Sequence, residues 1–577
     1  MIENIRLLYN MVFNCDYPYQ WRRQLLIPTP KKGHTEHDPK LRGIAIGPVL
    51  SRLYDIVMDT RFVEWYQPNP EQAAFRILQG CILQIFALLI LLHLGKELGK
   101  QLYIGLIDYE KAFDFVNRAE LARCLMENNI GCKFLRNFTN TYKETIYTTK
   151  ISTTHMGNDI PTDHGLTQGK NSSANIFSLF VSDMSKVMII PNIDDFMEPT
   201  NLLQLADDTT ALADKVSSFI SKMKNIMDYS VKKHQKVNKG KTKFLHMSNE
   251  PRSESIQIDS DTIIDPVSKE EGYNWLGFLL YPTDDVEQIL LFNINKKAVN
   301  TCKFYSWLQM NLDAPFKMKI KILYSCMFES LLYSCEAWGN FSCIHAKLLM
   351  IERKAIKRIL GVKNTTTDDI VYHEIGRADI IAVIQERQKN LIEKIKNLSI
   401  EDAVVKMIWE FYQQLSVQKI LTKYYDNLSD DICESNRLER RERIVNSDAS
   451  MCREYVNLTN LEPTRSLYQA FCDDQDRITI TRWRLSSHKL RIETARRMRP
   501  KPPREERLCI ICNVMEDEDH ALFKCTAHIF IRHRFSTLLQ MYTDCSSILN
   551  PNADDIREVA EYISEIENNM ERLKMVQ

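Results

Sequence analysis

The hexapeptide Leu102-Tyr103-Ile104-Gly105-Leu106-Ile107 is apolar throughout and ends on a carboxylate, Asp108. Such a run does not alternate between a wet and a dry face, so it predicts a central strand covered on both sides. A chain with that strand must build a sheet and pack helices on it. A second apolar segment, Leu202–Ala213, reads as a β-hairpin turning at Asp207-Asp208. Asp-Asp occurs seven times, and the other six pairs (194–195, 284–285, 368–369, 430–431, 473–474, 554–555) lie in polar or turn-like stretches. Adjacent carboxylates among apolar neighbours repel each other and resist desolvation, and divalent cations would remove the conflict.

At 577 residues, with 44% hydrophobic and 26% charged side chains, the chain has material for three or four domains. Lys+Arg and Asp+Glu both number 75, so net charge points to no partner class. The start lacks the pattern of an export signal. The longest apolar run, Cys81–Leu94, is too short to cross a bilayer and predicts a buried helix. The 15 cysteines are mostly scattered singly, as in a reducing compartment. The expectation is a soluble intracellular protein with no membrane partner.

Short strands and turns are predicted over 20–45, and helices over 48–64, 77–99, 117–145, 176–188 and 215–234. Strand, helix, helix and hairpin between 102 and 234 is the order of a split β-α-β sheet. From about 288 onward the pattern is mostly helical. In that arrangement Asp108 and Asp207-Asp208 meet on neighbouring strands, as two-metal phosphoryl transfer requires, and carboxylate oxygens suit Mg²⁺.

Here the chain resembles the reverse transcriptases of non-long-terminal-repeat (LINE-type) retrotransposons. Residues Ile107-Asp108-Tyr109-Glu110-Lys111-Ala112-Phe113-Asp114-Phe115-Val116-Asn117 resemble their first catalytic motif. Gly165–Ser173 resembles the Gln-Gly motif that precedes a helix, and Leu205-Ala206-Asp207-Asp208 the aromatic-x-Asp-Asp box. Asn238–Lys243 and Tyr273–Gly277 resemble the two motifs that follow, and Arg42-Gly43-Ile44 with Gln72–Arg76 the upstream fingers motifs. The series covers about residues 20–290. Two departures stand out: Leu205 replaces the usual Tyr or Phe, and Lys170-Asn171 follows Gly169.

The resemblance implies a right-hand polymerase of α+β class and assigns roles. Asp108 and Asp207 would bind two Mg²⁺ ions, with Asp208 in support and the Tyr109 carbonyl as a further ligand. Phe113 would lie beneath the incoming sugar and exclude a 2′-hydroxyl. Gln168 and Gly169 would shape the nucleotide and template pocket. Arg42 with Lys31 or Lys32 would hold the triphosphate, Lys241 would protonate the leaving pyrophosphate, and Tyr273–Gly277 would hold the primer end. The implied partners are an RNA template, a DNA primer and dNTPs.

Near the C-terminus, Cys509-x2-Cys512-x7-His520-x4-Cys525 offers three thiolates and an imidazole within 17 residues, a closed tetrahedral set for structural Zn²⁺. Three buried cysteines and a surface histidine are the plainer reading, and His528 or His533 are substitutes for His520. LINE-type proteins carry a similar segment after the polymerase. The basic stretch 482–507 holds ten Arg or Lys against three Glu and includes Trp483. It reads either as a grip on phosphate backbones with a stacking aromatic or as a solvated linker.

The expected organisation is fingers and palm over 1–290, a helical thumb over 291–400, a helical connector over 401–480, and a basic and zinc-binding region over 481–577. The expected function is RNA-directed DNA polymerisation. A catalytically inactive, domesticated nucleic-acid-binding remnant and a DNA-templated polymerase of the same architecture are the rivals. The family's endonuclease finds no room before residue 20 or in the 52 residues after Cys525, so a truncated element is expected.

Overall fold

The computed structural model describes residues 1–30, 41–76, 78–150, 155–191, 197, 200–338, 342–401, 403–415, 424, 428, 431–461, 465–470 and 472–575. The chain forms two compact units: Met1–Phe292 with Leu391–Thr422, and Asn293–Asn390 with Lys423–Gln577.

The first unit carries the described strands: β1 (Arg23–Pro30), β2 (Leu41–Ile46), β3 (Leu102–Ile107), β4 (Thr145–Lys150), β5 (Met156–Thr162), β6 (Leu202–Leu205), β7 (Asp208–Ala213), β8 (Lys243–Met247), β9 (Ile256–Asp259), β10 (Thr262–Pro266), β11 (Tyr273–Trp275) and β12 (Phe278–Leu280). They form a six-stranded sheet of order β6-β7-β3-β8-β10-β9, a four-stranded sheet β2-β1-β4-β5, and the hairpin β11-β12. As its composition demands, β3 is buried at every residue and lies centrally, antiparallel to β7 and β8.

Helix Val216–Lys232 packs on this sheet. A Cβ at Gly105 would come within 2.6 Å of Met223 Sδ and 3.1 Å of Phe219, so the glycine in β3 permits the close approach. Asn117 caps helix Arg118–Glu127 by accepting from the Ala119 and Glu120 amides at 2.9 and 3.0 Å. The apolar run at 81–94 is a buried helix, Cys81–Glu97, as expected. Its partner comes from far along the chain: helix Val404–Leu415 packs on it, with Phe86 and Trp409 ring centroids 5.8 Å apart. The helix expected over 117–145 is broken in two, because Gly131 caps a second helix, Cys132–Tyr142, and strand β4 begins at Thr145. No helix among the described residues is long and apolar enough to cross a membrane.

The second unit is helical among its described residues. Its centre holds a buried ion pair, with Arg484 donating to Glu374 through Nε (2.7 Å) and Nη2 (3.1 Å). The hydroxyls of Tyr455 and Tyr468 donate to the same carboxylate at 2.7 Å each. Trp483 is fully buried, and its indole N–H donates to Glu567 at 2.8 Å. This corrects the stacking role read for Trp483, and the linker reading at Trp483 and Arg484. A tryptophan and an arginine that are 0% exposed neither stack a base nor belong to a solvated linker. A charge count cannot tell a surface arginine from one whose carboxylate partner lies 110 residues away. Helix Ile556–Met575 closes the C-terminal core around Trp483, Leu522 and Tyr562.

Candidate active site and metal cluster

Strand register builds the first site. Ile107 pairs with Thr209, and the hairpin pair Leu205–Asp208 leaves Ala206-Asp207 as its two-residue turn. Extending the β3–β7 register by one residue sets Asp108 opposite Asp208. Three carboxylates thus converge at one end of the sheet. Asp208, though its side chain keeps an exposed flank, has its pKa pushed up to about 6 by desolvation and by the charges of Asp207 and Asp108. Tyr273, on β11, is pushed up to about 12 by burial and by Asp108 and Asp208, which sets its hydroxyl in the field of the same cluster.

The loop after helix Val216–Lys232 locks the end of β3. The Asn238 amide donates to the Asp108 carbonyl at 2.8 Å, and the Asp108 amide donates to Thr242 Oγ1 at 3.3 Å. This loop brings Lys241 Nζ to 3.7 Å from Asp108 Oδ2. Tyr109 faces Val237 in an antiparallel bridge. The bridge uses the Asp108 carbonyl and the Glu110 amide, passing over the Tyr109 carbonyl. The Tyr109 hydroxyl lies 3.2 Å from Ser230 Oγ, and burial raises its pKa to about 12.

Phe113 is half-buried and stacks on Phe177 with centroids 4.5 Å apart. Gly169 has φ +120°, and a Cβ there would lie 2.3 Å from the Ala45 carbonyl, so only glycine fits against β2. Beside it the Gln168 carbonyl accepts from the Ala45 amide at 2.7 Å. Arg42 is exposed on β2. Lys31 and Lys32 lie outside the described residues. Lys170 sits over the Tyr142 ring at 4.8 Å, and desolvation lowers its pKa to about 8.

Sequence reasoning assigned no role to Gln72, whose amide group bonds the Ala206 backbone in the hairpin turn, or to Thr242, which accepts from the Asp108 amide. An uncharged residue in a turn carries no compositional signal. The signal it did carry was membership of an ordered motif series.

The second site lies in the other unit. Cys509, Cys512, His520 and Cys525 bring their ligand atoms within 4.8 Å of one another. Cys525 Sγ is 3.8 Å from both Cys509 Sγ and Cys512 Sγ. His520 Nε2 is buried without a hydrogen-bond partner, which fits a ligand atom turned toward an ion. The Thr526 amide donates to Cys512 Sγ at 3.4 Å, as a thiolate would accept. Of the three histidines weighed, His520 joins the cysteines. His528 is engaged instead with Asn569, 2.9 Å away.

Residues 29–280 match the family described as Reverse transcriptase (RNA-dependent DNA polymerase). A curated relative, the Retrovirus-related Pol polyprotein from type-1 retrotransposable element R2 of Bradysia coprophila, is 29% identical over 128 residues. That alignment spans 22% of this chain and 14% of the relative's length. Among solved structures, telomerase from Candida albicans with the TWJ fragment of telomeric RNA is 11% identical, covering 70% of this chain and 68% of that chain with a TM-score of 0.31. Apo telomerase from Candida tropicalis is 12% identical, covering 64% and 73% at a TM-score of 0.31. The ordered motifs, the convergence of strand ends at 108 and 207–208 and the match over 29–280 together make this region a domain of the reverse transcriptase family.

Proposed function

We propose that the protein is an RNA-directed DNA polymerase of a non-long-terminal-repeat element, extending a primer 3′-hydroxyl with dNTPs on an RNA template. The observation that carries the reading is the meeting of three carboxylates with one nearby lysine at the ends of β3 and the β6–β7 hairpin. An all-oxygen donor set in which desolvation and the neighbouring carboxylate charges push Asp208 up to about 6 suits hard divalent cations. Asp108 and Asp207, with the Tyr109 carbonyl, would hold two Mg²⁺ ions, which when bound supply charge neutralisation at the attacking and leaving oxygens.

The chain's own groups do the rest. Lys241, 3.7 Å from Asp108, would hand a proton to the departing pyrophosphate. Arg42, with Lys31 or Lys32, would hold the triphosphate. Phe113, braced by Phe177, would lie beneath the incoming sugar, and Gln168 with Gly169 would shape the nucleotide and template pocket. The stretch 291–400 would serve as thumb. In the second unit Cys509, Cys512, His520 and Cys525 would hold structural Zn²⁺.

The test is primer extension on matched RNA and DNA templates, with and without chelator, by the full chain and by Asp108→Asn. Metal-dependent extension on RNA that disappears in the variant supports the reading. No extension by either form points to a nucleic-acid-binding remnant, and equal rates on DNA to a general polymerase.

A further inference from the structure

The hairpin tip adopts a backbone conformation that its own sequence does not favour. Ala206, the first of two turn residues, has φ +60°, whereas Asp207 is not among the residues with positive φ. Left-handed first and ordinary second is the pattern of a type II′ turn, where glycine is the usual first residue. An L-side chain there is strained. Ala206 directly precedes Asp207, so any relaxation of this residue swings a metal-site carboxylate.

One side chain captures both backbone groups of Ala206. Gln72 is 2% exposed, and its Oε1 accepts from the Ala206 amide at 2.8 Å while its Nε2 donates to the Ala206 carbonyl at 3.3 Å. The same Oε1 accepts from the Ala74 amide at 3.1 Å. The segment bearing Gln72 is itself pinned to β6. The Gln204 amide donates to the Glu71 carbonyl and the Ala73 amide to the Gln204 carbonyl, both at 3.0 Å. Gln84 Nε2 donates to the Glu71 carbonyl at 3.2 Å. The task needs a donor and an acceptor on one neutral side chain: ionised glutamate lacks the donor, and methionine has no donor and only a weak sulfur acceptor. A neutral group is also what three adjacent carboxylates tolerate.

We propose that Gln72 is a positioning residue that clamps the left-handed turn at Ala206 and so fixes where Asp207 stands beside Asp208, which strand register sets opposite Asp108. Its consequence for metal use rests on the polymerase reading; the clamp itself does not.

Two measurements on the full chain separate those layers. In Gln72→Met, amide hydrogen exchange across 203–209 should speed up about tenfold while exchange in β3 and in the second unit stays unchanged. In primer extension the same variant should need about five- to tenfold more Mg²⁺ for half-maximal rate, with a smaller loss at saturating Mg²⁺. Adding Ala206→Gly, which removes the left-handed strain, should recover most of the Mg²⁺ requirement. If Gln72→Met folds poorly, Ala206→Gly alone serves: Gln72→Glu in that background should cost less than Gln72→Glu in the natural one. Unchanged exchange over 203–209 overturns the clamp. Wild-type Mg²⁺ dependence in Gln72→Met, with extension that Asp108→Asn abolishes, overturns its role in metal use and leaves the polymerase reading standing. Absence of extension by the unaltered chain removes that reading, and the exchange result then decides the clamp alone.

Discussion

Two Asp-Asp pairs in this chain have opposite surroundings. Asp368 lies 2.6 Å from Lys357 and 2.7 Å from Arg353, and Asp369 lies 2.7 Å from Arg440 and 3.3 Å from Arg443. Burial alone would raise Asp368, but the lysine and arginine hold it below the ordinary carboxylate range. At the hairpin tip the neighbour brought nearest to Asp207-Asp208 by strand register is a third carboxylate, Asp108, and Asp208 is driven up to about 6. The dipeptide is the same, so composition does not set its role. What differs is the charge that the fold sets beside each pair: lysine and arginines at 368–369, a third carboxylate at 207–208. The first arrangement is a structural cross-link between helices. The second suits a ligand of positive charge.

The comparison breaks most visibly in catalysis. Asp108→Asn or Asp207→Asn should lower the primer-extension rate of folded protein by about a thousandfold or more, roughly 4 kcal/mol of transition-state stabilisation. Asp369→Asn should leave the rate per folded molecule within about twofold, measured on the same primer and template. The reverse holds for stability. Glu374→Gln strips the buried Arg484 of its countercharge and should cost about 3–5 kcal/mol, read as an earlier denaturant midpoint of the second unit.

The difference between the two pairs was partly legible before folding. Apolar flanks singled out 207–208 from the other Asp-Asp pairs, because desolvation without a nearby cation in sequence is visible as pattern. The Cys509–Cys525 spacing was legible for a similar reason, since all four ligand residues fall within one short local stretch. Long-range pairing was not legible. The arginines that answer Asp369 lie more than 70 residues onward, and Arg484 in the basic run at 482–507 gave no sign that it is consumed by Glu374. Helix Val404–Leu415 could not be assigned to the first unit from periodicity, which tells that a face is apolar but not what covers it. Gln72 escaped because its function is a pair of hydrogen bonds to a backbone conformation, and neither partner has a side-chain signature.

A smaller effect has the opposite sign to most charge removals. In metal-free protein Asp208→Asn relieves repulsion from Asp207 and Asp108, and should raise the thermal midpoint of the first unit. The gain is ~0.5–1 kcal/mol once its solvent-exposed flank is allowed for. Asp369→Asn should lower that of the second unit by ~1 kcal/mol. Equal shifts of one sign in the two variants would erase the distinction between a pair set among cations and a pair set against a third carboxylate.

The finest test is the pH dependence of stability without metal, because the two pairs tilt it in opposite directions. Folded Asp208 takes its proton near 6, whereas in the unfolded chain an aspartate does so at about 3.9. Between those values the folded state binds more protons, so the Asp208 contribution to stability falls as pH rises through that window and stays unfavourable above it. Asp368 has a depressed folded pKa, so its contribution is present above about 3.9 and is lost as pH falls through the folded value. Melting curves between pH 4 and 7 should therefore show the first unit losing less stability on acidification in the natural protein than in Asp208→Asn. In Asp368→Asn the loss of second-unit stability as pH falls below about 4 should shrink. Saturating Mg²⁺ should abolish the Asp208 component, since a cation that holds the carboxylate charged competes with its proton, and should leave the Asp368 component untouched.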